Sequence, residues 1–233
     1  MKQGIAGFFI GLGIIIGAWI LKEGINHIQD SQRIVSVKGL SEREVPADKV
    51  IWPITFKEVN NDLTAIYTNI ESNNARIINF LTSNGIKKEE ITVSPPDILD
   101  NQAERYNSDN AKYRYLGTSV ITVSSNEVEK VRGLILSISS LIKEGIAISA
   151  NRQYDNPVRF DFTGLNDIKP AMIEEATKNA RLAAEKFAKD SDSKLGKLKS
   201  ATQGQMTIDN RDDNSPHIKV LRVVTTVSYY LKD

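Results

Sequence analysis

Val50-Ile51-Trp52-Pro53-Ile54-Thr55-Phe56-Lys57 is the stretch on which the fold turns. Val50, Trp52, Ile54 and Phe56 fall on one face and Ile51, Thr55 and Lys57 on the other, the period of two of a strand with one buried face. Pro53 has no N–H to give to a ladder, so the strand is expected to be an edge there or to bulge. Pro46-Ala47-Asp48 opens it, and a first strand, Ile34-Val35-Ser36-Val37-Lys38, closed by Gly39, precedes it with no helix between. Strands adjacent in sequence point to antiparallel pairing, and away from the strict βαβ alternation of a nucleotide-binding sheet.

Working outward, residues 62–84 read as a helix. Leu63, Ile66, Ile70, Ile77 and Leu81 form one apolar stripe, and Asn84-Gly85 supplies the stop. Ile91-Thr92-Val93 is a third strand ended by Pro95-Pro96. Residues 100–112 are a polar loop, and Tyr113 to Val123 is a fourth strand. Ser125 or Asn126 caps a second helix burying Val128, Val131, Leu134, Ile135, Ile138, Leu141 and Ile142, which Gly145 ends. Ile146–Ser149 and Val158–Phe162 are two further strands. A third helix has Pro170 near its start, runs to about Asp190 and carries the stripe Ile173, Ala176, Ala180, Ala184 and Phe187. So much alanine on a buried face implies close approach to a sheet. Residues 203–217 are a second polar loop, and Lys219–Leu231 is a closing strand rich in β-branched residues and tyrosine. The class expected is α+β: mixed, largely antiparallel sheets with three helices packed on them, preceded by one N-terminal transmembrane helix.

That helix is read from Gly4 to Leu21, 18 consecutive residues without a charge, against the roughly 20 needed to cross a hydrocarbon core. A cleaved signal peptide has a shorter apolar region and a small-x-small site; Ala18-Trp19-Ile20 is a poor one. Lys2 before the run and the cancelling Lys22 and Glu23 after it favour a cytoplasmic N-terminus. The expected organisation is an anchor over 1–21, a polar stalk over 22–32 and one α+β domain over 33–233. The expected location is the cell membrane, single-pass, with the C-terminal domain periplasmic or extracellular. Gly7 with Gly11 and Gly13 with Gly17 have the spacing that lets two membrane helices approach closely.

Composition narrows the chemistry. The chain has 233 residues, a net charge of +1 and no cysteine. Disulfides, thiolate zinc sites and thiol catalysis are excluded. A near-neutral chain without a basic, aromatic-interleaved run is not a general nucleic-acid binder. Of the two histidines, His27 falls in the stalk and His217 in a loop, neither with a partner at ligand spacing. Asp209-Asn210-Arg211-Asp212-Asp213-Asn214 resembles a calcium loop, but Arg211 takes its third position and Val220 its twelfth. No Gly-x-Ser-x-Gly elbow or phosphate-cradling glycine loop occurs. Glu174-Glu175 and Asp212-Asp213 are adjacent carboxylates and read as solvated charges. Tyr106, Tyr113 and Tyr115 flank the first polar loop, either as a partner surface or as strand packing. No catalytic, cofactor or metal residue is expected.

Several stretches together resemble the SIMPL domain family of bacterial exported proteins. They are Val35-Ser36-Val37-Lys38-Gly39 with Val45-Pro46-Ala47-Asp48, and Asn74 to Thr92 with Ile78, Leu81, Gly85-Ile86 and Glu90-Ile91-Thr92. The alanine-rich run from Ala176 to Leu195-Gly196 and the closing strand Val223 to Tyr229 complete the set. A second glycine expected near Gly39-Leu40-Ser41-Glu42 is missing. The resemblance covers about residues 33–231. It implies an exported α+β protein that assembles into rings, with some members linked to oxidative-stress defence, some strong antigens, and no established catalytic residues. The function expected is therefore non-enzymatic self-assembly, as a homo-oligomer, or binding of a protein partner, in the envelope or in oxidative-stress defence. The alternative is a periplasmic binding module for a small hydrophobic ligand or lipid, with its pocket between helix and sheet.

Overall fold

The computed structural model describes residues 13–21, 33–103, 112–149 and 156–232. In chain order these hold β1 (Ile34–Pro46), β2 (Lys49–Asn60), α1 (Leu63–Ser83), β3 (Ile91–Val93), β4 (Asp97–Asp100) and β5 (Tyr115–Ser125). Then come α2 (Val128–Ser137), α3 (Ser139–Lys143), β6 (Arg159–Asp161), α4 (Leu165–Asp190), β7 (Lys194–Gln203), β8 (Thr207–Asn210) and β9 (Ile218–Lys232). Two compact units result. One contains residues 44–165 and 209–219, the other residues 1–43, 166–208 and 220–233.

The first of these units is built on β2. Antiparallel pairing with β5 runs from Val50↔Ser125 to Asn60↔Tyr115, and the sheet order is β3-β5-β2-β6 with β4 also on β5. Val50, Trp52, Ile54 and Phe56 are at most 1% exposed, as the alternation requires. They meet Ile121 and Val123 of β5, Ile66, Ile70, Ile77 and Leu81 of α1, and Val131, Leu134, Ile138 and Leu141 of the helical stretch after β5. Pro53 faces Thr122 on the β5 side. On its other side pairing covers only Lys49–Ile51 and resumes where the Ser149 N–H donates to the Thr55 carbonyl. The imide nitrogen thus falls in a gap in the ladder, where no donor is called for.

Helix α1 starts on Asp62, whose carboxylate accepts the Ala65 N–H at 2.7 Å, and ends through Asn84 and Gly85 at φ +85°. Leu63, counted into its stripe from sequence, is half exposed. The expected second helix is two. It breaks after Ser137, whose hydroxyl donates to its own helix's Leu134 carbonyl, and Ile142 turns outward. Among the described residues there are thus four α-helices after residue 33, not three. Ile146–Ser149 makes a single bridge, Phe56↔Ile148, in place of a strand.

In the other unit the sheet order is β1-β9-β7 with β8 on β9. Part of the expected 203–217 loop is therefore strand β8. Helix α4 begins before Pro170, so the proline lies inside it. Its buried stripe is Met172, Ala176, Ala180, Ala184 and Ala188, spaced strictly by four. Ile173 is only partly buried, and Phe187, expected inside, is 57% exposed. Against the alanines lies Gly39 of β1. A Cβ there would sit 1.9 Å from the Ala176 carbonyl oxygen and 2.3 Å from the Ala180 nitrogen.

The membrane-spanning helix expected over residues 4–21 is overturned. Among the described residues no helix is long and apolar enough to cross a membrane. Residues 13–21 form a short exposed helix, about 14 Å long at about 1.5 Å per residue. Gly13 and Gly17 have nothing within 4 Å of where a Cβ would stand, and glycine is a poor helix former. Residues 4–12, including Gly7 and Gly11, and the stalk 22–32 lie outside the described residues.

The Gly39 contact is with backbone, which cannot rotate away. Gly39→Ala is therefore expected to cost at least the about 1–3 kcal/mol of an overpacked core, while Lys38→Ala, one residue along on the exposed face, leaves the denaturant midpoint near wild type. Equal midpoints for the two variants would contradict the packing described.

Candidate functional site

Three features of residues 44–165 and 209–219 could carry function: a groove, a pair of anchored turns and an open sheet face. The groove has a volume of about 500 Å³. Its wall is apolar, with Ile135 and Leu136 of α2, Pro157 and Val158, Phe160 of β6 and Pro216, and its polar groups are Arg132, Asp213, Asn214 and His217. Leu136 is 84% exposed, so the groove is open along that side. The His217 ring packs edge-on against Phe160, centroids 6.1 Å apart. Burial pushes the imidazole below its ordinary value, and the Arg132 charge adds to this. Arg132 is itself held by Glu129, one turn earlier, at 2.7 and 2.8 Å.

The sequence places His217 in a polar loop, and the structure puts it in this groove. Among the described residues no three histidine, aspartate or glutamate side chains cluster as metal ligands do. His27 and Tyr106 lie outside the described residues. The calcium-like segment is a turn after β8. Asp212 accepts the Asn214 N–H at 2.9 Å and pairs with Arg211, which also reaches Glu44 at 3.6 Å. Tyr113 and Tyr115 lie under cations, Lys112 at 5.5 Å and Arg114 at 5.0 Å, with Arg114 fixed by Asp100. In the other unit Glu175, read as a solvated charge, accepts from Ser41 at 3.0 Å and from Arg43 at 2.9 Å. Those bonds, Arg43 first, hold its carboxyl below the usual range.

Two arrangements escaped the sequence reading, the first because its partners lie 115 and 116 residues apart. The Asp48 carboxylate accepts the N–H groups of Thr163 and Gly164 at 2.8–3.0 Å and the Thr163 hydroxyl, anchoring the turn after β6. Lys219, 8% exposed, donates to the Asn210 side-chain oxygen. Burial lowers its pKa, and the nearby Asp161 charge opposes that.

The open face belongs to the five-stranded sheet. Residues of β5 facing the helices are buried, whereas Leu116, Thr118, Val120, Thr122 and Ser124 on the reverse are partly exposed, as are Ile51, Pro53 and Thr55 of β2. At one end a row of Val59, Leu116 and Leu99 crosses three strands, with Val59 45% and Leu99 37% exposed.

Residues 35–224, from β1 into β9, match the family SIMPL, described as "Protein of unknown function (DUF541)". The chain belongs to the SIMPL family. No curated protein matches it. The match begins at Val35, the second residue of β1, and takes in both units, so the groove and the open sheet face both lie within the SIMPL region.

The groove of this SIMPL chain yields a titration. His217 is expected to titrate below the about 6.5 of an unperturbed imidazole, so it is neutral at pH 7 and its protonation opposes folding. The stability it contributes is complete above the unfolded pKa and is lost as pH falls through the lower folded one. NMR of the histidine ring protons, with His27→Gln to assign them, measures the midpoint. Arg132→Gln should move it up. A midpoint at or above 6.5, or a fall on removing the guanidinium, would contradict the described surroundings.

Proposed function

We propose that this SIMPL protein is a non-enzymatic envelope protein, placed outside the cytoplasm, that acts by assembling with copies of itself or with a protein partner. The observation that carries this reading is the outer face of the five-stranded sheet, which the described residues leave partly exposed, with valine and leucine side chains aligned across three strands. Contiguous exposed apolar surface of this kind marks interaction sites. The family likeness, which implies export and assembly into rings, supports it, and the exposed isoleucines, Trp19 and Leu21 of residues 13–21 offer further apolar surface. Envelope or oxidative-stress defence is the setting the family likeness favours.

A second reading, a module for a small hydrophobic ligand or lipid, draws on the groove between α2 and β6. Its apolar wall suits such a ligand, but the groove stays open beside Leu136, whereas small-molecule sites enclose most of their ligand.

Sedimentation of the full-length chain in detergent, across a concentration series, tests the proposal. Self-assembly predicts masses that rise in multiples of 25.9 kDa. A single 25.9 kDa species at every concentration would remove the self-assembly reading.

A further inference from the structure

We propose that two copies of this chain pack face to face through the outer surface of the five-stranded sheet, about a two-fold axis running along β5, with Lys57 of each copy against Asp97 of the other. The inference rests on the self-assembly reading and gives it a surface and a symmetry.

The register supplies the argument. On the outer face Lys57 of β2 and Asp97 of β4 are both cross-strand partners of Thr118, on opposite sides of β5. They stand two strand spacings apart, about 10 Å at about 4.8 Å each, too far to pair with one another. Both are exposed, and among the described residues neither makes an ion pair or a side-chain hydrogen bond. The adjacent outward row is the apolar one, with Val59 and Leu99 flanking Leu116 in the same way. Each row therefore has a centre on β5 and one arm on each side, the charged row carrying opposite signs on its two arms.

A half-turn about an axis along β5 exchanges the arms and keeps the rows in line. It sets Lys57 over the partner's Asp97, Asp97 over the partner's Lys57, Leu116 over its own copy, and Val59 over the partner's Leu99. An axis across the strands through the charged row would set lysine on lysine and aspartate on aspartate, and like charges so placed repel. The charge pattern thus selects one isologous dimer, in which every contact occurs twice. The strands of the two sheets run in the aligned manner of sandwich packing.

The size of the face sets the strength. Three strands about 4.8 Å apart and nine residues long at about 3.4 Å each give roughly 400 Å² of sheet per copy, against about 800 Å² per partner in a standard stable interface. The contact is accordingly weak, concentration-dependent and reduced by salt, a pairing step within a larger assembly or an encounter at high local concentration.

Charge exchange tests it, in full-length protein, by sedimentation in detergent. Lys57→Asp alone and Asp97→Lys alone each replace two attractions per dimer by two repulsions, and each should weaken association roughly tenfold. An equimolar mixture of the two single variants restores it, because every charge then meets its opposite across the axis. The double variant Lys57→Asp/Asp97→Lys restores it as well. Both sites are exposed, and thermal melting confirms that each variant is folded; Lys57→Gln and Asp97→Asn, which remove charge without reversing it, should give intermediate weakening. Unchanged association in all variants would overturn this surface while leaving self-assembly through another. A mixture that associates no better than its components would overturn the pairing. A wild-type chain that stays monomeric throughout would overturn both this inference and the self-assembly reading beneath it.

Discussion

The unit formed by β1, α4, β7 and the body of β9 depends on one steric constraint, the absence of a side chain at Gly39. Backbone atoms of Ala176 and Ala180 occupy the space a Cβ would need. That contact lets α4 lie on β1 with only alanines between, and it explains why the stripe is spaced strictly by four, down to Ala188. Larger residues at those positions would lift the helix off the strand. Small residues bury little apolar area each, so this packing relies on dispersion at close range and on the exclusion of alternatives. Glu175, on the same helix, adds a polar tie to Ser41 and Arg43 at the end of β1.

The unit built on β2 solves the same problem differently. It fills its interior with Trp52, Phe56 and a set of isoleucines, leucines and valines, and keeps a close approach where Gly117 faces the tips of Ile66 and Ile70. Its described helices pack on one side of the sheet. The reverse side carries the alternate residues of β2 and β5, threonine-rich with a charged row and an apolar row at one end. A sheet covered on one face is normal for antiparallel pairing, and the register turns this one's partly exposed face into a patterned surface.

How legible this was depends on burial. The β2 alternation and the α1 stripe were readable because one face of each is fully excluded from water, so the periodicity survives in the residue types. The alanine spacing of α4 was readable for the same reason. Ile173 and Phe187 misled because a large apolar side chain is not by itself evidence of burial. Strands β7 and β8 left no trace, since both are exposed over nearly all their length and an exposed strand needs no alternation. The break between α2 and α3 falls inside an unbroken apolar pattern. The uncharged run before residue 22 came close to the length of a membrane helix, yet its described part is a short, exposed helix of nine residues. Of the candidate surfaces, the groove around His217 and the Lys57–Thr118–Asp97 row join residues distant in the chain, and only the folded structure reveals them.

The central structural claim is that α4 lies on its sheet at a distance set by alanine. Denaturant unfolding of Ala180→Leu beside Lys178→Leu tests it most directly. Ala180 is fully buried, whereas the Lys178 side chain is 71% exposed and pairs with Glu174 one turn back. Leucine and alanine are both good helix formers, so helix propensity alone predicts almost no change at Ala180. Close packing predicts a clear fall in the Ala180→Leu midpoint, on the scale of about 1–3 kcal/mol or more, with Lys178→Leu near wild type. Equal midpoints for the two variants would contradict the account.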